Sequence, residues 1–282
     1  MLVAVNNCSR HVLVFINWLP LLMFPFNPKI KTMDNTTKDL RLAVLIDADN
    51  IPYHNIKGML EEIAKYGNPT FKRIYGDWTK PTVVGWKGVL LDYAITPIQQ
   101  YSYTSGKNAT DSAMIIDAMD ILYTGRVDGF CLVSSDSDFT RLATRLREAG
   151  MIVYGMGEQK TPSAFRAACD KFIYLEILQV REKKTDTEKT TKTTKDKRNS
   201  ISKADKQLVS LISTSINDIA DEDGWAYLGE LGNLLLKKQP DFDSRNFGFN
   251  KLVQLLKSFP DFEIDIRESG KKTGKLVYVR TV

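Results

Sequence analysis

The sequence predicts an α/β domain, with a parallel sheet covered by helices on both faces, followed by a small winged-helix domain. Strand-like and helix-like patterns alternate between residues 39 and 180, which is the order of repeated β-α units. The strand-like runs are apolar throughout, as expected for strands buried on both faces. Residues 207–282 differ, because helical patterns there are followed by two strand-like pieces around the turn GKKTG. Helices followed by a hairpin favour a winged helix.

Each element of the α/β domain is predicted from the spacing of its apolar residues. The first strand is RLAVLI (41–46), and the first helix is marked by Ile56, Met59, Leu60 and Ile63. Further strands are predicted at 71–76, 95–101, 129–135, 151–156 and 171–176. Further helices are predicted at 83–93, 110–123 and 137–149, with a short one after Pro162.

The charge distribution separates four segments of the chain. The net charge is +5, yet residues 39–180 carry −2 and residues 207–282 carry −1. The positive excess lies in residues 1–38, at +3, and in residues 181–206, at +5. The second of these is a Lys/Thr-rich run without an apolar stripe, which predicts a disordered basic linker. We therefore expect an N-terminal extension (1–38), the α/β domain (39–180), the linker (181–206) and the winged-helix domain (207–282).

The N-terminal extension is expected to lie outside the folded domains. Its apolar segment at 11–30 is interrupted by Pro20, Pro25 and Pro28 and falls short of a comfortable membrane span. Met33 then opens a polar lead directly before the first strand. We expect Met33 to be the functional start, with the residues before it untranslated or disordered, and a weak membrane tether is the alternative. No stable membrane association is expected.

Cysteine and histidine usage excludes several classes of chemistry. Cys8, Cys131 and Cys169 are isolated in sequence, which predicts a reducing cytoplasm and no zinc site of C-x-x-C type. The two histidines, His11 and His54, are too few for a histidine-rich metal site and poorly placed for a catalytic triad. No G-x-G-x-x-G follows the first strand, which argues against dinucleotide binding. No small-molecule organic cofactor is expected. Any hydrolytic chemistry must therefore rest on carboxylates.

Four acidic residues are predicted to meet at one edge of the sheet. Asp47 follows the first strand, and Asp136 and Asp138 follow the strand GFCLVSS. Asp111 lies at the start of a helix and continues its apolar stripe, formed by Ile115, Ala118 and Leu122. Ligands of doubly wound parallel sheets bind beyond the carboxyl ends of the strands, which is where these acids belong. The structural alternative is a helix N-cap, since Ser135 and Asp138 have the S-x-x-D spacing.

Clustered carboxylates indicate a site for a hard divalent cation. Packed together without a counter-ion, they repel and raise one another's pKa. Oxygen ligands without histidine or thiolate favour Mg²⁺ or Mn²⁺. One or two such ions can deprotonate a water and stabilise charge that develops on a phosphate. Asp49 is a further acid near Asp47, and its assignment to the cluster or to a surface or capping role stays open.

Three segments resemble the NYN domain of the PIN-like, metal-dependent ribonucleases. They are IDADN (46–50), KNATD (107–111) and VSSDSDF (133–139), and the resemblance covers about residues 40–178. It implies a PIN-like, Rossmann-like fold and an Mg²⁺- or Mn²⁺-dependent nuclease, most readily an endoribonuclease. It also implies a catalytic metal site formed by Asp47, Asp111, Asp136 and Asp138. Asn50 would orient a ligand or the scissile phosphate, and Ser134 and Ser135 would donate to phosphate or cap a helix.

The C-terminal part is similar to the OST-HTH, or LOTUS, domain through residues 224–264. This resemblance implies RNA binding and contacts with protein partners. The expected RNA contacts are five lysines near the third helix and the wing, for which solvated surface side chains are the alternative. These are Lys251, Lys257, Lys271, Lys272 and Lys275.

Two other functions remain open at this point. The motif IDADN also matches the D-x-D of haloacid-dehalogenase-type phosphatases, in which Asp47 would be the nucleophile and Asp49 the acid/base. That interpretation leaves Asp111 without a role. The other possibility is a non-catalytic RNA-binding scaffold, in which the acids hold a structural ion.

Overall fold

Six parallel strands form the central sheet of the N-terminal part. The computed structural model describes residues 39–101, 109–178, 203–268 and 275–282. The strands are β1 (Arg41–Asp47), β2 (Asn68–Gly76), β3 (Thr96–Gln99), β4 (Gly129–Val133), β5 (Ile152–Gly157) and β6 (Lys171–Tyr174). Their order in the sheet is β3-β2-β1-β4-β5-β6. The direction of winding reverses between β1 and β4, so these two strands form the switch point at which such sheets bind ligands.

Helices cover both faces of this sheet, as the sequence predicts. They are α1 (Ile56–Ile63), α2 (Val84–Leu90), α3 (Ala109–Thr124), α4 (Thr140–Glu148) and α5 (Ser163–Ala168). The side chains of β1 alternate between two cores, with Val44 packed in the core that contains α1 and α2. Leu45 points to the opposite core, which contains α3, α4 and α5. The predicted parallel α/β fold is therefore confirmed.

The predicted element bounds differ from the structure around β4. The strand was expected to reach Ser135 but ends at Val133. The following helix was expected from Ser137, yet Ser137–Phe139 is a 3-10 turn and α4 begins at Thr140. In α3, the fully buried stripe is Met114, Ala118 and Ile121, whereas Ile115 and Leu122 are partly buried. Asp111 belongs to the same stripe, three residues before Met114, so the helix directs it toward the sheet.

The C-terminal part has the predicted helices and hairpin, with one additional strand. Its elements are α6 (Lys203–Asn217), β7 (Ala226–Tyr227), α7 (Leu228–Lys238), α8 (Leu252–Leu256), β8 (Phe262–Glu268) and β9 (Lys275–Thr281). The antiparallel sheet has the order β7-β9-β8. The short strand β7 lies in a stretch that reads as helical in sequence, and pairing with β9 overrides that local preference. Helix α6 begins inside the segment assigned to the basic linker.

Several expectations concern residues outside the described ranges. They include the N-terminal extension, most of the linker, Lys107 and Asn108 of the KNATD segment, and the wing lysines Lys271 and Lys272. In the part of the chain that the structure describes, no helix combines the length and the hydrophobicity that crossing a bilayer requires.

Candidate metal centre

The carboxyl ends of β1 and β4 bring the predicted acids together. The two strands are neighbours, with Ile46 paired to Val133. Asp47 is the last residue of β1. It therefore lies beside the segment after β4 that carries Asp136 and Asp138. The first turn of α3 supplies Asp111, and this helix packs on the same face of the sheet as Leu45.

Asp47 is buried and held by three hydrogen bonds. Its Oδ2 accepts from the Ser134 hydroxyl at 2.8 Å and from the Asn50 side-chain amide at 2.7 Å. Its Oδ1 accepts from the backbone N–H of Asp49 at 3.1 Å. Burial raises the pKa of Asp47, and the hydrogen bonds from Asn50 and Ser134 offset part of that effect. The side chain is thus fixed in orientation at the floor of the site.

Asp136 and Asp138 are positioned by the 3-10 turn that precedes α4. Asp136 is the N-cap of this turn, and its Oδ1 accepts from the backbone N–H of Asp138 at 3.0 Å. The predicted cap by Ser135 is therefore wrong, because the Ser135 hydroxyl accepts from the backbone N–H of Glu158 at 2.9 Å. Ser134 and Ser135 are both buried, and of the two hydroxyls it is that of Ser134 that donates to an acid of the site, Asp47.

Three carboxylates converge closely enough to share one cation. One oxygen from each of Asp111, Asp136 and Asp138 lies within 4.8 Å of the others. Burial is the largest cause that raises the pKa of Asp111 to about 6, followed by the charge of Asp47 and then by those of Asp136 and Asp138. Carboxylates gathered in this way repel one another unless a cation is present. The donor set consists of hard oxygen atoms, which fits Mg²⁺ or Mn²⁺.

Asp47, Asp49 and Asn50 lie at the margin of this trio. Asp47 is outside this closest group of three. Among the neighbouring charges, however, that of Asp47 has the largest effect on the pKa of Asp111. Asn50 donates its amide to Asp47, so its visible role is to orient that carboxylate. Asp49 is exposed and its Oδ2 accepts from the Thr110 hydroxyl at 3.2 Å, which ties the loop after β1 to α3.

The predicted RNA-binding lysines lie apart from the acidic cluster in the chain. Lys251, Lys257 and Lys275 are exposed on the C-terminal part, where they precede α8, follow it and open β9. Their exposure is compatible with phosphate contacts and equally with ordinary surface side chains.

Ser134 makes contacts within the site that the sequence did not disclose. Its hydroxyl donates to Asp47 and accepts from the backbone N–H of Asp136 at 3.1 Å. It therefore links the acid after β1 to the acid after β4. The available signal was its position directly after an apolar strand, but the adjacency of β1 and β4 is needed to interpret it. Residues that orient metal ligands in this way commonly control affinity and activity.

Comparison with known proteins assigns both parts of the chain. The family model of the NYN domain matches residues 41–176, and that of the OST-HTH/LOTUS domain matches residues 199–273. The fold of residues 41–176 is thus that of an NYN domain, which is PIN-like and belongs to a nuclease family. The chain combines this NYN domain with a C-terminal OST-HTH/LOTUS domain, which is an RNA-binding module.

Two solved structures are similar to parts of the chain. A protein of unknown function from Vibrio parahaemolyticus has 19% sequence identity and a TM-score of 0.41, and the match covers 49% of this chain and 94% of that one. An uncharacterized protein from Nitrosomonas europaea has 32% identity and a TM-score of 0.27, with coverage of 34% and 91% respectively. No curated protein matches the chain.

Asp111→Asn is expected to stabilise the protein in EDTA and to abolish its stabilisation by metal. The folded-state pKa of about 6 lies above the ordinary 3.8, so the ionised carboxylate destabilises the fold above about pH 6, and this cost fades as pH falls toward 3.8. Because Asp111→Asn removes this negative charge, it should raise the free energy of unfolding at pH 7.5 by up to about 3 kcal/mol. Added Mn²⁺ should raise the melting temperature of the parent but not of the variant.

The matched control is Asp120→Asn, an exposed acid on the same helix. It should respond to EDTA and to Mn²⁺ as the parent does. Thermal unfolding in both buffers checks the prediction. A parent that gains no stability from Mn²⁺, or an Asp111→Asn protein that gains as much as the parent, would contradict the metal-centre assignment.

Proposed function

We propose that the protein is an Mg²⁺- or Mn²⁺-dependent ribonuclease that hydrolyses internal phosphodiester bonds of RNA. The observation that carries this proposal is the convergence of Asp111, Asp136 and Asp138 within 4.8 Å at the switch point of an NYN sheet. Oxygen-ligated divalent cations supply the activated water and the charge stabilisation that hydrolysis of a phosphodiester needs.

The residues of the site have distinct roles in this proposal. Asp111, Asp136 and Asp138 hold the cation, and Asp47 supplies a fourth carboxylate beside them. Asn50 and Ser134 keep Asp47 in place through their hydrogen bonds. A bound divalent cation lowers the pKa of a coordinated water and stabilises negative charge on the phosphate.

RNA is recruited by parts of the chain other than the acidic site. The NYN domain carries −2 between residues 39 and 180, so it offers little general attraction to a polyanion. The segment 181–206 carries +5 and can attract phosphates without sequence preference. The OST-HTH domain adds shape or base contacts, with Lys251, Lys257 and Lys275 as the described candidates and Lys271 and Lys272 in the wing sequence.

A reducing compartment such as the cytoplasm suits this protein. Cys131 in β4 and Cys169 directly after α5 are both free and buried, which is the ordinary state of cysteines in a reducing environment.

The phosphatase alternative requires Asp47 to act as a nucleophile and Asp49 to act as the acid/base. As a nucleophile, Asp47 would need an accessible oxygen, yet it is buried and accepts three hydrogen bonds. This geometry favours the ribonuclease. It also gives Asp111 a function, which the phosphatase does not require.

A substrate comparison with two variants separates these functions. The full chain with Mn²⁺ should cleave single-stranded RNA and leave p-nitrophenyl phosphate intact. Asp111→Asn should lower the rate of RNA cleavage much more than Asp49→Asn does. A phosphatase would show the reverse order of variants on the phosphomonoester, whereas a scaffold would bind RNA and cleave neither substrate.

A further inference from the structure

A loop of the OST-HTH domain lies against the NYN domain. We call residues 239–248, between α7 and α8, the docking loop. Residues Asp39–Val282 form one compact unit, and the docking loop provides the contacts described below. It reaches two places on the NYN domain, the helix α1 and the edge strand β6.

Arg245 of the docking loop binds Glu62 of α1 through both guanidinium arms. The arms donate to the two Glu62 oxygens at 2.9 and 2.8 Å, in the bidentate geometry that gives strong charge-assisted hydrogen bonds. Asp243 orients the guanidinium, with distances of 3.0 Å from Nε to Oδ1 and 2.6 Å from Nη2 to Oδ2. The arginine is therefore held in its binding orientation by its own loop.

Glu62, the partner of this arginine, is buried in the NYN domain. Its side chain is 1% exposed, and it shares the buried face of α1 with Met59 and Ile63. The Tyr66 hydroxyl donates to Oε1 at 2.9 Å, and Lys65 contacts Oε2. Burial alone would raise the pKa of Glu62, but hydrogen bonds from Arg245 and Lys65 lower it to about 2. A buried carboxylate of this kind requires partners.

The second contact covers the edge of the sheet formed by β6. Strand β6 is one of the two edge strands of the sheet, and its Phe172 N–H donates to the backbone carbonyl of Pro240 at 2.8 Å. Asp241, the next residue of the docking loop, accepts from the Tyr174 hydroxyl at 2.6 Å and also pairs with Arg166. An unpaired strand edge invites association with other chains, and the docking loop closes this one at that point.

We propose that the docking loop fixes the OST-HTH domain on its own NYN domain, so that RNA is presented to the acidic cluster by a rigid two-domain unit. A flexible tether would give the two domains variable separation. Fixed docking instead makes the position of the cut depend on where the OST-HTH domain holds the RNA. The docking itself is independent of the proposed nuclease function, whereas its effect on the cut position rests on that function.

The docking is tested without RNA or metal. A site for a specific protease is inserted into residues 185–195 of the full chain, which is then cleaved. In the parent, the two fragments should co-elute as one species of monomer mass. Arg245→Ala should separate them, whereas Arg280→Ala should not, because Arg280 pairs with Glu263 inside the OST-HTH domain. Separation of the parent fragments, or a concentration-dependent dimer formed by exchange of the domains, would overturn docking within one chain.

Hydrogen exchange provides a readout that does not depend on fragment separation. In the uncut chain, Arg245→Ala should make the Phe172 amide exchange at least about tenfold faster. Amides in the centre of β1 should be unchanged, which shows that the domain remains folded. If Arg245→Ala fails to fold, Asp241→Asn is the second variant, with the same expected direction. Equal exchange at Phe172 in the parent and in a folded variant would contradict the docking.

The cut position is tested with an end-labelled single-stranded RNA of one defined sequence. The parent should give one dominant cleavage position, and Arg245→Ala should spread cleavage over several positions at a similar total rate. An unchanged pattern would overturn fixed presentation even if cleavage itself is robust. Absence of cleavage by the parent would count against the nuclease function and leave the two preceding tests of docking intact.

Discussion

Asp136→Asn is expected to reduce metal-dependent RNA cleavage by at least about 100-fold while the protein remains folded. The aspartate has two roles that the substitution separates. Its Oδ1 caps the 3-10 turn by accepting from the N–H of Asp138, and asparagine keeps an oxygen that can do the same. Its negative charge, which converges with those of Asp111 and Asp138, is lost. A cap alone would therefore tolerate the change, whereas a cation site would not.

Initial cleavage rates and thermal unfolding together check this result. Asp120→Asn, exposed on α3, is the control for the loss of one acidic charge and should cleave RNA at the parent rate. Cleavage by folded Asp136→Asn at the parent rate would refute the metal-site interpretation of the motif VSSDSDF.

Neutralising the basic segment is expected to weaken RNA binding about tenfold or more at low salt. The change is glutamine for the six lysines of residues 181–198, in the full chain. They are Lys183, Lys184, Lys189, Lys192, Lys195 and Lys197. Affinity should fall about evenly across RNA sequences, because contacts to phosphate carry no sequence information. The dependence of affinity on salt should become flatter, since fewer counter-ions are released on binding.

Truncation after residue 178 should weaken RNA binding further, but it also changes the NYN domain. It removes Arg245 from Glu62 and Pro240 from the edge of β6, so lower thermal stability is expected as well. Metal-dependent cleavage should persist slowly at high enzyme concentration. Affinity measured against salt for the full chain, the lysine variant and the fragment checks the division of labour. Equal affinities and slopes for all three would contradict it.

The fold was largely predictable because short apolar runs alternate with helical patterns along residues 39–180. This alternation is typical of a parallel sheet covered by helices. The predicted strand RLAVLI is found as β1, and the predicted helix that contains Met59 is found as α1. The local details were harder to predict. The turn at Ser137–Phe139 depends on a hydrogen bond to Asp136, and β7 depends on its pairing with β9. Both arise from contacts that override local propensity.

The location of the candidate site was predictable from the ends of the strands. Which of its acids lie closest together was not predictable. Asp111, Asp136 and Asp138 converge most closely, while Asp47 and Asn50 are engaged with each other. That distinction depends on side-chain orientation, which spacing does not give. The pair Glu62 and Arg245 lies 183 residues apart, and its one local sign was an acid within the apolar stripe of a helix. Such long-range ion pairs leave no short sequence motif.

Cleavage of end-labelled single-stranded RNA by the full chain tests the central claim most directly. The protein is first stripped with EDTA, and Mg²⁺ or Mn²⁺ is then added back in excess. The account predicts no cleavage in EDTA, internal cleavage after either ion is restored, and no comparable recovery for Asp136→Asn under the same conditions. Equal cleavage in EDTA, or a folded parent that leaves RNA intact with both ions, would contradict it.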